Sequence, residues 1–411
     1  MILKSGIRLI FAIVTLLSFS AVAISAERSG QQLTSSVARA ESTASGQKTV
    51  TKRNRRETVP KPKGSQVQPV ANSQKAGSAK NATTGSGLPA AVKSEEVKFT
   101  GSNLQLAGTF LLPKSEAGKR APAVIIFGDA KPATRDAVAA GNGSHFLYRD
   151  LAQHFAGLGI AVLRYDRRCV GTSDCKPQSS FDDFIIDGEM AVKYLRSRPE
   201  IDPKRIFLLG HGEGGLLASV VASHDEGSKD KLAGLLLAAA PGRFGHRVVR
   251  DQLRLFLTDQ GSSESEIADY LKKSEAVFNR ITVGESNFAD VKFDAQSAAD
   301  VELNRLTKDP SFAFGLLSND PLQIIKSVKI PVLIMQGDKD QLITVSDAEY
   351  LEEALTREGH ADYTMKIIPD ADHVFKVNKG EASLKNYRDA SRPTDPAAIK
   401  LATEWILKRL K

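Results

Sequence analysis

Three short stretches hold residue types suited to acyl transfer. Gly210-His211-Gly212-Glu213-Gly214-Gly215 follows the apolar run Ile206 to Leu209 and leads into Leu216-Leu217-Ala218. Gln336-Gly337-Asp338-Lys339-Asp340 follows a second apolar run, and Asp370-Ala371-Asp372-His373 follows a third. A histidine can take and return a proton near neutral pH, and a carboxylate behind it fixes its tautomer and stabilises its charged form. On that logic His373 is the general base and Asp340 its partner. Asp338 is the second choice, because a residue two or three past the turn glycine reaches the histidine better. The first stretch has the strand–turn–helix setting of a nucleophile elbow, G-x-S-x-G. Gly212 fills the serine slot. The attacking atom is missing.

An oxyanion hole needs two backbone donors, and neither depends on a serine side chain. The N–H of Glu213, next after the slot, is one candidate. The other lies in the loop after an earlier strand, at Gly128-Asp129-Ala130, taken as Asp129. Glycine accepts the positive φ of such a turn at little cost, so the fold should tolerate Gly212 while the covalent acyl-enzyme route closes. Four readings follow. The domain binds a ligand without turnover; or His373 and Asp340 activate a water; or Cys169 or Ser144 replaces the nucleophile; or the glycine is an isolated change in an ordinary esterase. If the other parts are assembled, Gly212→Ser should restore hydrolysis by several orders of magnitude. A competing reading takes Gly210, Gly212 and Gly215 as the G-x-G-x-x-G of a dinucleotide site. That motif belongs after a first strand with an acidic residue about 20 positions on, and here the next strand ends in Ala240-Pro241-Gly242-Arg243.

The elements that must position these residues alternate. Strands are expected at Glu96–Thr100, Leu104–Leu112, Ala123–Phe127, Ile160–Tyr165, Ile206–Leu209, Ala233–Ala239, Pro331–Met335 and Tyr363–Ile368. Helical patterns such as Phe146–Leu158 and Phe181–Arg196 lie between them, and a last helix begins at Asp395-Pro396. The fold class is therefore α/β, an eight-stranded, mostly parallel sheet with helices on both faces. From Pro241 to Pro321 there is no strand signal. The interval has amphipathic helices, one opened by the capping pair Ser263 and Glu266. We read residues 243–320 as a helical cap over the sheet's carboxyl edge.

The 411 residues suffice for one large domain plus an appendage. Residues 1–26 carry Lys4 and Arg8, an apolar run, and a small-residue exit at Ala21-Val22-Ala23 or Ile24-Ser25-Ala26. This is secretory-signal grammar, with an uncleaved anchor as the alternative. Residues 27–93 hold twelve Lys or Arg against three Glu and almost no large apolar side chain, the composition of a disordered basic linker. The net charge of +8 comes from this segment, and residues 94–411, the folded domain, are slightly acidic. Anionic envelope polymers or a membrane surface are the expected partners of such a linker. With no aromatics among its basic residues, nucleic acid is not. The only cysteines, Cys169 and Cys175, are expected to form a disulfide in an exported chain, and no histidine near them suggests a metal.

The runs Gly159 to Arg168, Tyr194 to Ile206, the elbow, and Pro331 to Asp340, together with His373, resemble bacterial α/β hydrolases of the EstD-type carboxylesterase group. That group lies near the dienelactone-hydrolase and serine-aminopeptidase-like branches. The order elbow, acid, histidine agrees with that family. The resemblance implies small acyl-ester or hydrophobic ligands, no cofactor and a serine at position 212. Three residues depart from it: Gly212 itself, Cys169 where a glycine follows the paired arginines, and Ala130 in the glycine-rich loop that keeps Arg135-Asp136.

Overall fold

The computed structural model describes residues 91–114, 118–129, 134–137, 145–176, 178–387, 389 and 391–411. The leader, nearly all of the basic linker, Ala130 and Ser144 lie outside them.

Eight strands form one sheet: β1 (Val92–Thr100), β2 (Gln105–Pro113), β3 (Ala121–Phe127), β4 (Ala161–Tyr165), β5 (Ile201–His211), β6 (Gly234–Ala238), β7 (Val332–Gly337) and β8 (Tyr363–Ile368). Their spatial order is β1-β2-β4-β3-β5-β6-β7-β8. The β1–β2 and β2–β4 pairs are antiparallel and the rest parallel. The fold is that of the α/β hydrolases. β1 starts at Val92, two residues before the domain boundary read from composition.

The sheet's two faces follow the period of two along each strand. Ile125, Leu163, Leu208 and Leu235 face one way, towards α2 (Phe181–Ser197) and α3 (Glu213–His224). Val124, Val162, Leu209 and Leu236 face the other, towards α1 (Leu147–Gly157) and α11 (Pro396–Arg409). Burial on both sides explains why these strands read as unbroken apolar runs. Ser180 and Asp183 form a capping box that starts α2. After the one-turn α10 (Leu384–Tyr387), the Asp395 carboxylate accepts the Ala397 N–H at 2.8 Å to start α11.

Between β6 and β7 the chain is helical: α4 (Gly245–Asp259), α5 (Glu264–Thr282), α6 (Ala298–Lys308), α7 (Pro310–Ser318) and α8 (Pro321–Ser327). The capping box at Ser263 and Glu266 opens α5. Leu253, Phe278, Leu303 and Phe312 extend the core of the α2–α3 face into this insertion. Its first loop is pinned from α9 (Val345–Arg357): fully buried Asp347 accepts the Gly242 N–H at 3.0 Å and both ends of the Arg243 fork at 3.0 and 2.8 Å. A two-pronged guanidinium–carboxylate pair fixes direction as well as distance.

The strand order decides what meets at the carboxyl edge. From β3 the chain moves outward to β4, then returns to β5 on the other side of β3. The ends of β3 and β5 are thus neighbours, with Phe127 opposite Gly210. Such a reversal opens a crevice where ligands bind in open α/β sheets.

Candidate active site

The β5–α3 turn passes through Gly212 at φ 56°, ψ −130°, which side chains occupy only under strain. Gly214 is demanded by contact: a Cβ there would lie 2.4 Å from the Phe127 carbonyl oxygen and 2.5 Å from that of Gly128. The glycine run is therefore explained by a tight turn and by helix-on-strand packing.

His373, in the loop after β8, is 4 % exposed. Its Nδ1 lies 2.9 Å from Asp340 Oδ2. Asp340 is held in turn by Gln336 Nε2 at 3.0 Å on Oδ2, and by the Leu342 and Ile343 N–H groups at 2.8 and 3.0 Å on Oδ1. Asp338 is exposed, outside this network. The geometry therefore pairs His373 with Asp340.

The opposite side of the ring meets Asp129. Its Oδ2 lies 3.8 Å from His373 Nε2, an ion-pair rather than a hydrogen-bond distance. Its Oδ1 accepts the Glu213 N–H at 3.2 Å. A Cβ built on Gly212 would lie 2.7 Å from that Oδ1 and 2.8 Å from its Cγ. The carboxylate of Asp129 fills the space that a side chain at 212 would enter, at the positive end of α3.

This revises both oxyanion expectations. The Glu213 N–H points into the slot, but Asp129 Oδ1 already occupies it. The Asp129 N–H points elsewhere, to Tyr148 Oη at 2.8 Å. Tyr148 Oη is 2.9 Å from His211 Nδ1, and His211 Nε2 is 2.8 Å from the His373 carbonyl oxygen. Only one proton arrangement satisfies every link: Asp129 N–H to Tyr148, the Tyr148 hydroxyl to His211 Nδ1, and His211 Nε2–H to the His373 carbonyl. This buried relay ties the β3 end, α1, the β5 turn and the histidine loop together.

Glu213 points its side chain at the insertion. Arg305 of α6 contacts it at 2.8 Å and Glu302 at 2.7 Å. Burial pushes the Glu213 carboxyl up, opposed by Arg305 and reinforced by Asp129 and Glu302. Arg167, from the matched Arg167-Arg168 pair, lies 4.5 Å over Phe184, its Nε and Nη1 buried without hydrogen-bond partners. A recess of about 30 Å³ remains beside Gly212 and His373, room for a group about the size of two waters.

Cys169 and Cys175 are joined in a disulfide. Cys169 is therefore not a substitute nucleophile. Among the described residues no cluster of His, Cys, Asp and Glu could hold a metal ion, and no helix is long and apolar enough to cross a membrane.

The charge state of His373 follows from its neighbours. Burial pulls its pKa down, but the Asp340 and Asp129 carboxylates outweigh that and raise it to about 10. His211, buried beside that charge, is pushed down to about 4. The stabilisation from charged His373 is complete below its unfolded pKa of about 6.5 and fades as pH rises from there through 10. That from neutral His211 is complete above about 6.5 and fades as pH falls towards 4. Stability against urea should therefore peak near pH 6.5, and His373→Gln should flatten the alkaline limb. An unchanged alkaline limb in that variant would show that His373 is not charged in the fold.

Comparison with known proteins agrees with this architecture. Residues 137–377 match the model of the serine aminopeptidase S33 family, and the chain belongs to that family of α/β hydrolases. Esterase EstD of Thermotoga maritima is 25 % identical over 74 % of this chain and 66 % of its own length, so the match spans just under two thirds of that relative. Among solved structures, the Pyrococcus furiosus esterase Pf2001 superposes with a TM-score of 0.50 at 16 % identity, covering 78 % of this chain and 91 % of that one. The α/β hydrolase GrgF of a Penicillium species does so with a TM-score of 0.50 at 19 % identity, covering 77 % and 98 %. Family membership sets aside the dinucleotide reading of the glycine run.

Sequence reasoning placed Asp129 in the site for its backbone and missed its side chain. It also missed Tyr148, the ring of His211, and the Arg305–Glu302 pair. For Asp129 a signal existed: an acidic residue two past an apolar strand at the sheet's reversal. No local signal marked the others.

Proposed function

We propose that this protein is an exported member of the esterase-type α/β hydrolases in which the serine acyl-enzyme route is closed. The observation that carries this is the Asp129 carboxylate in the space beside Gly212, bonded to the Glu213 N–H that an acyl oxyanion would need. Direct water activation by the His373–Asp340 couple is also held off at neutral pH, since His373 already carries its proton. The scaffold suits a small acyl-ester-like or hydrophobic ligand group in the recess. Export is supported by the leader-like residues 1–26 and by the disulfide, which persists in oxidising compartments. The basic linker suits an anionic envelope polymer or membrane surface.

The test is a fluorophosphonate probe with p-nitrophenyl acetate turnover on the full chain. No stoichiometric adduct is expected. Turnover should lie below the roughly 10³–10⁴-fold residual left when a serine hydrolase loses its serine but keeps its oxyanion hole. One probe molecule bound per chain, with rapid ester turnover, would refute the reading.

A further inference from the structure

Arg167 follows β4 and holds a guanidinium whose donors the chain does not use. Its central carbon is 4.5 Å from the ring centre of Phe184 in α2 and 5.2 Å from that of Phe312 in α7. Those rings attract a cation through their faces but supply no acceptor in its plane. Nε and Nη1 are buried and make no hydrogen bond. The acids around it are engaged elsewhere. Asp187 accepts Arg168 Nε and Nη2, each at 2.8 Å, and the Ser102 N–H at 2.7 Å. Glu213 accepts Arg305 at 2.8 Å through Oε1, and its Oε2 meets no donor, Arg167 included. Asp309 accepts the Phe312 N–H at 3.4 Å as the cap of α7. Burial pulls the Arg167 pKa down, against the attraction of Glu213. Buried charged groups in folded proteins are paired and hydrogen-bonded, so these donors call for an acceptor from outside the chain.

Arg167 borders a recess of about 10 Å³ whose walls include Phe127, Gly128, Tyr165, Phe184, Asp187 and Leu217. It shares no lining residue with the recess beside Gly212. Its volume admits one occupant about the size of a water, too little for both oxygens and the carbon of a carboxylate, or for a phosphate. Two features make the wall suit an anion despite the carboxylate in it. The charge of Asp187 is matched by the two-pronged bond from Arg168. Burial and Asp187 push the pKa of the Tyr165 hydroxyl up, so it stays a protonated donor. We propose that this recess is a chloride site, in which one halide ion is held by the Arg167 guanidinium. Chloride is small, monovalent and weakly hydrated enough to enter a recess walled largely by rings and aliphatic groups. It would neutralise Arg167 where Phe184 of α2 meets Phe312 of the insertion, and so strengthen the hold of the insertion on the sheet's helices.

The full chain, wild type and Arg167→Met, is titrated with sodium chloride while the ³⁵Cl NMR line width and the urea midpoint are followed. Methionine keeps the reach between the two phenyl rings and removes the charge. The basic linker is the same in both proteins and cancels in their difference. Excess line width in the wild type alone is expected, with a midpoint that climbs with chloride in the wild type and not in the variant, because a ligand that binds only the folded state stabilises it. Bromide should displace the chloride, and formate should bind at least about tenfold more weakly. Equal line widths and midpoints in the two proteins would show that water alone solvates Arg167 and would overturn the proposal. Formate binding more tightly than chloride would make this a carboxylate subsite and overturn the choice of a halide. Should Arg167→Met fail to fold, wild-type crystals grown in bromide decide: an anomalous scattering peak beside Arg167 is expected, and its absence overturns the site. None of these readouts depends on turnover or on residue 212.

Discussion

Gly212→Ser, made alone, is expected to leave acyl-ester hydrolysis within about tenfold of wild type, whereas the same change combined with Asp129→Gly should raise it by on the order of 10³ or more. The new Cβ would stand 2.7 Å from Asp129 Oδ1, and Asp129 Cβ is itself only 3.3 Å away. The short aspartate can clear that space only by leaving both the Glu213 N–H and His373, which strands a partly buried charge. Removing it has three effects. The serine hydroxyl gains its room, the Glu213 N–H is released to an oxyanion, and His373 keeps one carboxylate instead of two, so its pKa falls towards the range of a useful base. Hydrolysis of p-nitrophenyl acetate by the two variants decides the matter. Full activity in the single variant, or none in the double, would show that the carboxylate does not block the slot.

Asp340→Ala should cost about 3–5 kcal/mol of stability, the range for breaking a buried charge pair by removing one partner. Four donors converge on that carboxylate: His373 Nδ1, Gln336 Nε2 and the Leu342 and Ile343 N–H groups. Alanine leaves His373 Nδ1 and the Leu342 and Ile343 N–H groups without that acceptor, while Gln336 Nε2 keeps the Gly337 and Ile343 carbonyl oxygens at 3.2 and 2.8 Å. Urea unfolding of Asp340→Ala beside Asp338→Ala measures the contrast, because Asp338 is exposed and its loss should change stability by less than about 0.5 kcal/mol. Equal effects from the two would contradict the network.

These expectations differ in how far the sequence alone could reach them. The inner strands were legible because a sheet covered on both faces demands continuous apolar stretches, and the runs ending at Phe127, Tyr165 and Met335 have them; the edge strands β1 and β8 are only partly buried and carry a weaker pattern. The insertion was legible from the absence of such a run between Pro241 and Pro321. The pairing of Asp340 with His373 follows from two strand ends opening on one edge. Asp129 is different. Its side chain faces Gly212 only because β3 and β5 are neighbours across the reversal at β4, and spatial order is not written in local pattern. The Glu213–Arg305 contact spans 92 positions, and the relay through Tyr148 and His211 links residues up to 162 apart. Only the assembled sheet brings such groups together.

The mutual exclusion between a side chain at 212 and the inward carboxylate of Asp129 has a historical consequence. A descendant of a serine enzyme could take up this aspartate without a clash only once the serine had gone. Return then needs two replacements, the first of which gains little when made alone. Divergence of this kind runs like a ratchet, and present-day homologues should carry the two positions as a matched set, with serine and an inward aspartate seldom coexisting.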